Sequence, residues 1–212
     1  MNKKKTIAVA IVLALLLLIG GMLAYLTDTD TATNEFTIGD DVEISLSETW
    51  TPADGLGIHP GAKITKAPSI VNDSETTPAY VFAEIIVPCY DSNNDGAADA
   101  PLFKLLKSDD SEGTNAGWAL INTPTVDTTN KTITYVYAYG TSSAMTTLAA
   151  SNSTPKTTTS TPVFSKVLLE PSLTVAQKAT ASATPNIIVN AYGIQTDNLS
   201  SNTPSEIFDM FE

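Results

Sequence analysis

The chain opens on a basic head, Lys3–Lys5, followed by an unbroken apolar run from Ile7 to Ile19 and a Gly20–Gly21 break. Beyond that break the period changes. Val42, Ile44 and Leu46 alternate with Glu43, Ser45 and Ser47, which predicts a strand with one buried face. AKITKAPSIV (62–71) reads as a second strand, interrupted by Pro68 and therefore at an edge or bent. AYVFAEIIVPCY (79–90) is apolar on both faces except at Glu84 and is expected at the centre of a sheet. After turn residues around Asn130, KTITYVYAY (131–139) places Ile133, Tyr135, Tyr137 and Tyr139 on one face. PVFSKVLLE (162–170) and PNIIVNAYGIQ (185–195) are two further strands.

Two short helices are expected. APLFKLLK (100–107) has Pro101 in its first turn and Asp99 ahead of it. TPSEIFDMF (203–211) has Thr203 as N-cap, Pro204 at the first helical position and Glu206 placed for a capping box. The stretch between the Tyr-rich strand and PVFSK, near 141–162, is small, polar and rich in Thr and Ser, and reads as a long exposed loop. Strands without intervening helices predict an all-β fold, an antiparallel β-sandwich with a few short helices, preceded by an N-terminal signal helix.

The basic head, apolar run and small residue ahead of a polar chain are the parts of a secretory signal peptide over 1–24, with the cut between Ala24 and Tyr25. Met22 is larger than the residue usually found three before the cut. A single membrane span is the competing reading, since Ile7–Leu26 is about long enough to cross a bilayer. The glycine pair and the lack of a basic stop after the run favour cleavage. On the signal reading, the membrane is met only through the uncleaved signal, and a signal peptidase is the partner during export.

Charge and cysteine content narrow the function further. The 212 residues carry 11 basic and 23 acidic side chains, a formal net charge of -12. Removal of residues 1–24 leaves 8 Lys against 23 acids, a net -15. Such a surface repels nucleic acid and anionic lipid, so no nucleic-acid partner is expected. The single cysteine, Cys89, cannot form an intramolecular disulfide and sits in an apolar strand as a packed residue. The single histidine, His59, sits in a turn marked by Pro60–Gly61. One histidine removes every two-histidine zinc motif, and no G-x-S-x-G frames a serine. No enzymatic activity is expected.

DSNNDGAAD (91–99) matches the first half of a calcium loop. Asp91, Asn93 and Asp95 supply oxygens at alternate positions, Gly96 the tight turn and Asp99 the ninth position. Leu102 stands where the loop's bidentate acid belongs. The same residues also make an Asn/Asp/Gly turn into the helix expected at 100, so calcium is a candidate ligand and no cofactor is required.

Four segments together resemble the TasA/camelysin family of secreted proteins, whose precursors carry a signal peptide processed by a dedicated peptidase, SipW. They are GGMLAYLTDTDTATNEFTIGDDVEISLSE, HPGAKITKAPSIVNDSETTPAYVFAEIIVP, TPVFSKVLLEPSLT and IIVNAYGIQTDNLSSNTPSEIF, in the family's order over about half of the chain after the signal. The resemblance implies a jelly-roll-type sandwich, secreted into the extracellular matrix or held at the cell surface. It also implies fibres of the biofilm matrix, built from copies of the chain or related matrix subunits. In that assembly residues 25–38 would be a donor strand for the next subunit, with Tyr25, Leu26, Phe36 and Ile38 as anchors. Strand donation satisfies an open sheet edge and, being head-to-tail, makes an open filament. A monomeric adhesion or ligand-binding module is the alternative. Camelysin is labelled a metalloendopeptidase, but this chain has no H-E-x-x-H, so the resemblance does not carry that activity over. The 141–162 loop and the DSNNDGAAD insertion depart from the fibre-forming pattern.

Overall fold

The computed structural model describes residues 41–181, 185–199 and 201–211. Signal, cleavage and donor-strand residues, Ala24, Tyr25, Leu26, Phe36 and Ile38 among them, lie outside the described residues. Twelve strands are described: β1 (Ile44–Thr49), β2 (Lys63–Thr65), β3 (Ala67–Asn72), β4 (Ala79–Tyr90), β5 (Ala100–Pro101), β6 (Phe103–Leu106), β7 (Trp118–Leu120), β8 (Thr125–Asp127), β9 (Thr132–Tyr139), β10 (Thr157–Thr158), β11 (Lys166–Leu169) and β12 (Ile188–Gln195). All pairings are antiparallel.

The back sheet runs β12-β4-β9-β7, with β8 also on β9 and β5 on the end of β4. The front layer consists of β1-β3-β10 and β2-β11-β6. Its two parts are joined where the predicted strand 62–71 divides at Lys66 into β2 and β3. Pro68 therefore marks a bend and not an edge, because β3 is flanked on both sides. One apolar cluster lies between the layers. It takes Ile64, Ile70, Phe103, Leu105, Val167 and Leu169 from the front, and Val81, Ala83, Ile85, Val87, Tyr137 and Tyr139 from the back.

Period-two side-chain alternation explains this division. The odd residues of β4 and β9 turn inward. The even residues Phe82, Val136 and Ala138 turn outward and are buried there beneath Ile207 and Phe208. Those two residues belong to a short helix, α2 (Pro204–Phe208), so β4 is buried on both faces, as its composition predicts. The capping box of α2 is formed as expected: the Thr203 hydroxyl accepts from Glu206 N–H, and the Glu206 carboxylate accepts from Thr203 N–H at 2.7 Å. Phe208 and Phe211 pack their rings on Phe82 and Tyr192 at centroid distances of 5.4–5.9 Å.

The helix expected over 100–107 is instead β5 and β6. Phe103 and Leu105 face the core while Lys104 faces out, a period of two imposed by pairing with β11. Asp99 caps no helix there; its carboxylate accepts from Ser92 N–H and Oγ. The only α-helix besides α2 among the described residues is α1 (Val175–Thr180), whose Thr174/Gln177 capping box the sequence reading missed. The 141–162 loop is largely exposed but pinned: Leu148 is buried and exchanges both backbone hydrogen bonds with Ala79, and β10 pairs with β3.

Candidate functional site

The sandwich is open along one side, where β1 and β12 form the edges of the two layers. In register with β3, Ile44, Leu46 and Glu48 of β1 lie on the same face as the inward-facing Asn72, Ile70 and Pro68. In β12, Val189 and Ala191 turn toward the core. The strands run in opposite directions: Ile44 meets Gly193, and Trp50, just past β1, stands near Ile187, just before β12. A Cβ on Gly193 would lie 2.8 Å from Ile44 Cγ2, so only glycine lets the edges approach there. Toward Trp50 they part. Leu46 remains 40% exposed although it sits on the inward row of β1, and Trp50, just past the end of β1, remains 38% exposed.

The parting forms an apolar groove of about 530 Å³, floored by Ile64, Phe103 and Val167 and walled by Trp50, Leu56 and Ile187. Its rim is fixed by charge. Lys66 Nζ bonds Glu48 at 2.6 Å and lies 5.5 Å from the centre of the Trp50 ring. Leu56, 78% exposed, stands at the mouth.

β12 pairs only with β4; its other side has no strand partner among the described residues. In an antiparallel strand alternate residues turn their N–H and C=O away from a given neighbour, so this edge presents a row of unpaired groups. It is eight residues long and contains no charge and no proline. The opposite edge of the back sheet is broken into the three-residue β7 and β8, a short and interrupted edge.

The 91–99 loop is tightly folded. Asp91 is buried; its Oδ2 accepts from Gly96 N–H at 2.7 Å and its Oδ1 from Asp95 N–H at 3.2 Å. Asp95 accepts from Ala97 N–H and from the Asn93 amide, and Asn94 and Gly96 take positive φ of 62° and 97°. Helix α1 braces the loop: Gln177 Nε2 donates to Ser92 O, and Asp91 N–H donates to Thr180 Oγ1. The structure thus brings Asp91, Asn93 and Asp95 around one turn, with Asp99 directed to Ser92.

The front layer carries a charge clasp that the sequence reading missed. Asp110, on the loop after β6, bonds Lys166 at 2.5 Å and Lys63 at 2.8 Å. These two hydrogen-bonded ammonium groups hold its carboxyl down at about 2. The partners lie 56 and 47 residues away, so no local pattern announces the cluster.

Cys89 is buried, and burial, aided by the Asp99 charge, pushes its thiol up to about 12, in keeping with a packed and unreactive residue. His59 is exposed in its turn, with its carbonyl accepting from Ala62 N–H.

A family model, the camelysin metallo-endopeptidase, matches residues 1–102, just under half the chain. No curated protein and no solved structure matches. The metal that this family name implies finds no fitting donor set: among the described residues no three His, Cys, Asp or Glu side chains converge where an ion could be held. The family implies an extracellular or cell-surface location. Over residues 1–102 the chain is similar to the camelysin family, the TasA-related family that its sequence segments resemble.

Proposed function

We propose that the chain is a secreted structural protein, a subunit or accessory protein of extracellular matrix fibres assembled by donor-strand addition. Residues 25–38, freed by signal removal, add as a strand to the next subunit. The observation that carries this reading is the long, uncharged edge of β12, which has no strand partner among the described residues and which native sheets normally guard or cover. Similarity to the camelysin family over residues 1–102 supports the secreted, matrix-type role. The test is deletion of residues 25–38: the truncated chain folds and stays monomeric, whereas fibres formed equally well by it would sink the proposal.

The groove favours a second reading, a monomeric adhesion or ligand-binding module, because a cleft of about 530 Å³ is of ligand size. That reading predicts a defined partner and no filament under any condition. Calcium at the 91–99 loop is a separate proposal, resting on its Asp-Asn-Asp-Gly spacing.

A further inference from the structure

Glu84 is the one charged residue of β4, and period two places it on the outer face of the back sheet. Directly across it stand Asn190 on β12 and Val136 on β9. The next row holds Ile188, Ile86 and Thr134 side by side. On the other side α2 covers the neighbouring row, where Phe208 packs on Phe82 and Tyr192. Glu84, Asn190, Ile86 and Thr134 are half-buried, and Ile188 is 47% exposed. The result is a shelf beside α2 with one carboxylate on an apolar floor.

The carboxylate is anchored through a single oxygen. Asn190 Nδ2 donates to Glu84 Oε2 at 2.8 Å, and the Tyr192 hydroxyl donates to the same oxygen at 3.1 Å. Burial and the Glu84 charge push the Tyr192 phenol above its ordinary range, so it stays a donor. Among the described residues no hydrogen bond reaches Glu84 Oε1 or Asn190 Oδ1, and no ion pair includes Glu84. A carboxylate flanked by Ile86, Ile188 and Val136 is costly unless a cation pairs with it. All eight lysines beyond residue 40 lie among the described residues, and none is its partner.

We infer that this shelf docks an arginine side chain of a different, basic protein, its guanidinium donating to Glu84 Oε1 and Asn190 Oδ1. Two acceptors on adjacent strands suit a planar fork of N–H donors better than a point charge. Guanidinium is also more weakly hydrated than ammonium, so it lies on Ile86 and Ile188 at lower cost. A neutral sugar would supply donors without the compensating charge. The chain contains no arginine, so a second copy cannot be the source. Its net charge of -12 steers a basic partner toward it. The inference stands apart from the fibre reading, since it uses the outer face of the sheet and not its edge.

The experiment uses the chain from Tyr25 onward with labelled isoleucine methyls and side-chain amides, followed by NMR. The probes are N-acetylargininamide, N-acetyllysinamide and a neutral oligosaccharide, maltotetraose. The arginine probe should saturably shift the Ile86 and Ile188 methyls and the Asn190 amide, with the lysine probe several-fold weaker. Glu84→Gln, which keeps an acceptor for Asn190 and Tyr192, should weaken the arginine probe at least tenfold. Asn190→Ala keeps the carboxylate and should bring arginine down to the level of lysine; it carries the test if Glu84→Gln does not fold. Absence of a saturable shift at these reporters, or shifts confined to the 91–99 and 109–112 loops, overturns the site. Undiminished binding to Glu84→Gln does the same. Equal affinity for the two cations overturns the guanidinium assignment, and a response to maltotetraose without one to arginine overturns the cationic occupant.

Discussion

Leu46→Lys separates folding from assembly. In the free subunit Leu46 is 40% exposed on the inward row of the edge strand β1, where a lysine stem can lie on the same surface with its ammonium in water. The fold should lose no more than about 1 kcal/mol. In the assembled state the remaining exposed area of Leu46 is covered, worth about 1 kcal/mol from the usual burial of a leucine. The lysine forfeits that and must also hold a charge beneath the added strand, a cost of about 2 kcal/mol even when the stem reaches toward solvent. The sum, about 3 kcal/mol, is roughly a 100-fold loss in subunit affinity. Urea denaturation of the monomer and pelleting assays of critical concentration read the two effects separately. The expected result is a nearly unchanged urea midpoint and a critical concentration raised by about two orders of magnitude. Val126, 43% exposed on the opposite edge, is the control. An unchanged critical concentration for Leu46→Lys, or an equal rise for Val126→Lys, refutes the reasoning.

The remaining predictions concern stability and ligand binding. Phe208→Ala removes a ring packed on Phe82, Tyr192 and Phe211 and should cost about 3–4 kcal/mol in urea denaturation; a loss below about 1 kcal/mol would show that α2 does not seal the outer face. Asp110 has a folded pKa of about 2, below the ordinary carboxylate value near 3.9, so its contribution is full above about pH 4 and is lost as pH falls toward 2. Asp110→Asn should lower Tm at pH 7 and flatten the acid fall in Tm over that window; an unaltered profile would dismiss the clasp. If the 91–99 loop takes calcium, Tm rises with calcium over chelator and the rise disappears in Asp95→Ala; no rise leaves the loop an ordinary turn.

Much of the fold was legible because period-two alternation survives wherever one face is buried, as in Ile133–Tyr139, which turns every odd residue inward. The end of the chain was equally readable, since Thr203, Pro204 and Glu206 are a local helix start. The segment 100–107 was not. Pro101 and the Leu/Lys composition suit a helix locally, and only pairing with β11, 60 or more positions away, makes it a strand. The open side between β1 and β12 was hidden for the same reason. Leu46 reads as an ordinary alternating strand position, and its exposure arises from how far β12 reaches. The Asp110 clasp likewise joins three distant segments. The acidic loop was visible because its residues are contiguous, but the hydrogen bonds that direct Asp99 to Ser92 were not.

The most direct test of the central claim is negative-stain electron microscopy of two chains at the same high concentration, one spanning residues 25–212 and one spanning 39–212. The account predicts filaments from the first and monodisperse particles of a folded subunit from the second. Filaments from both, or from neither, would contradict it.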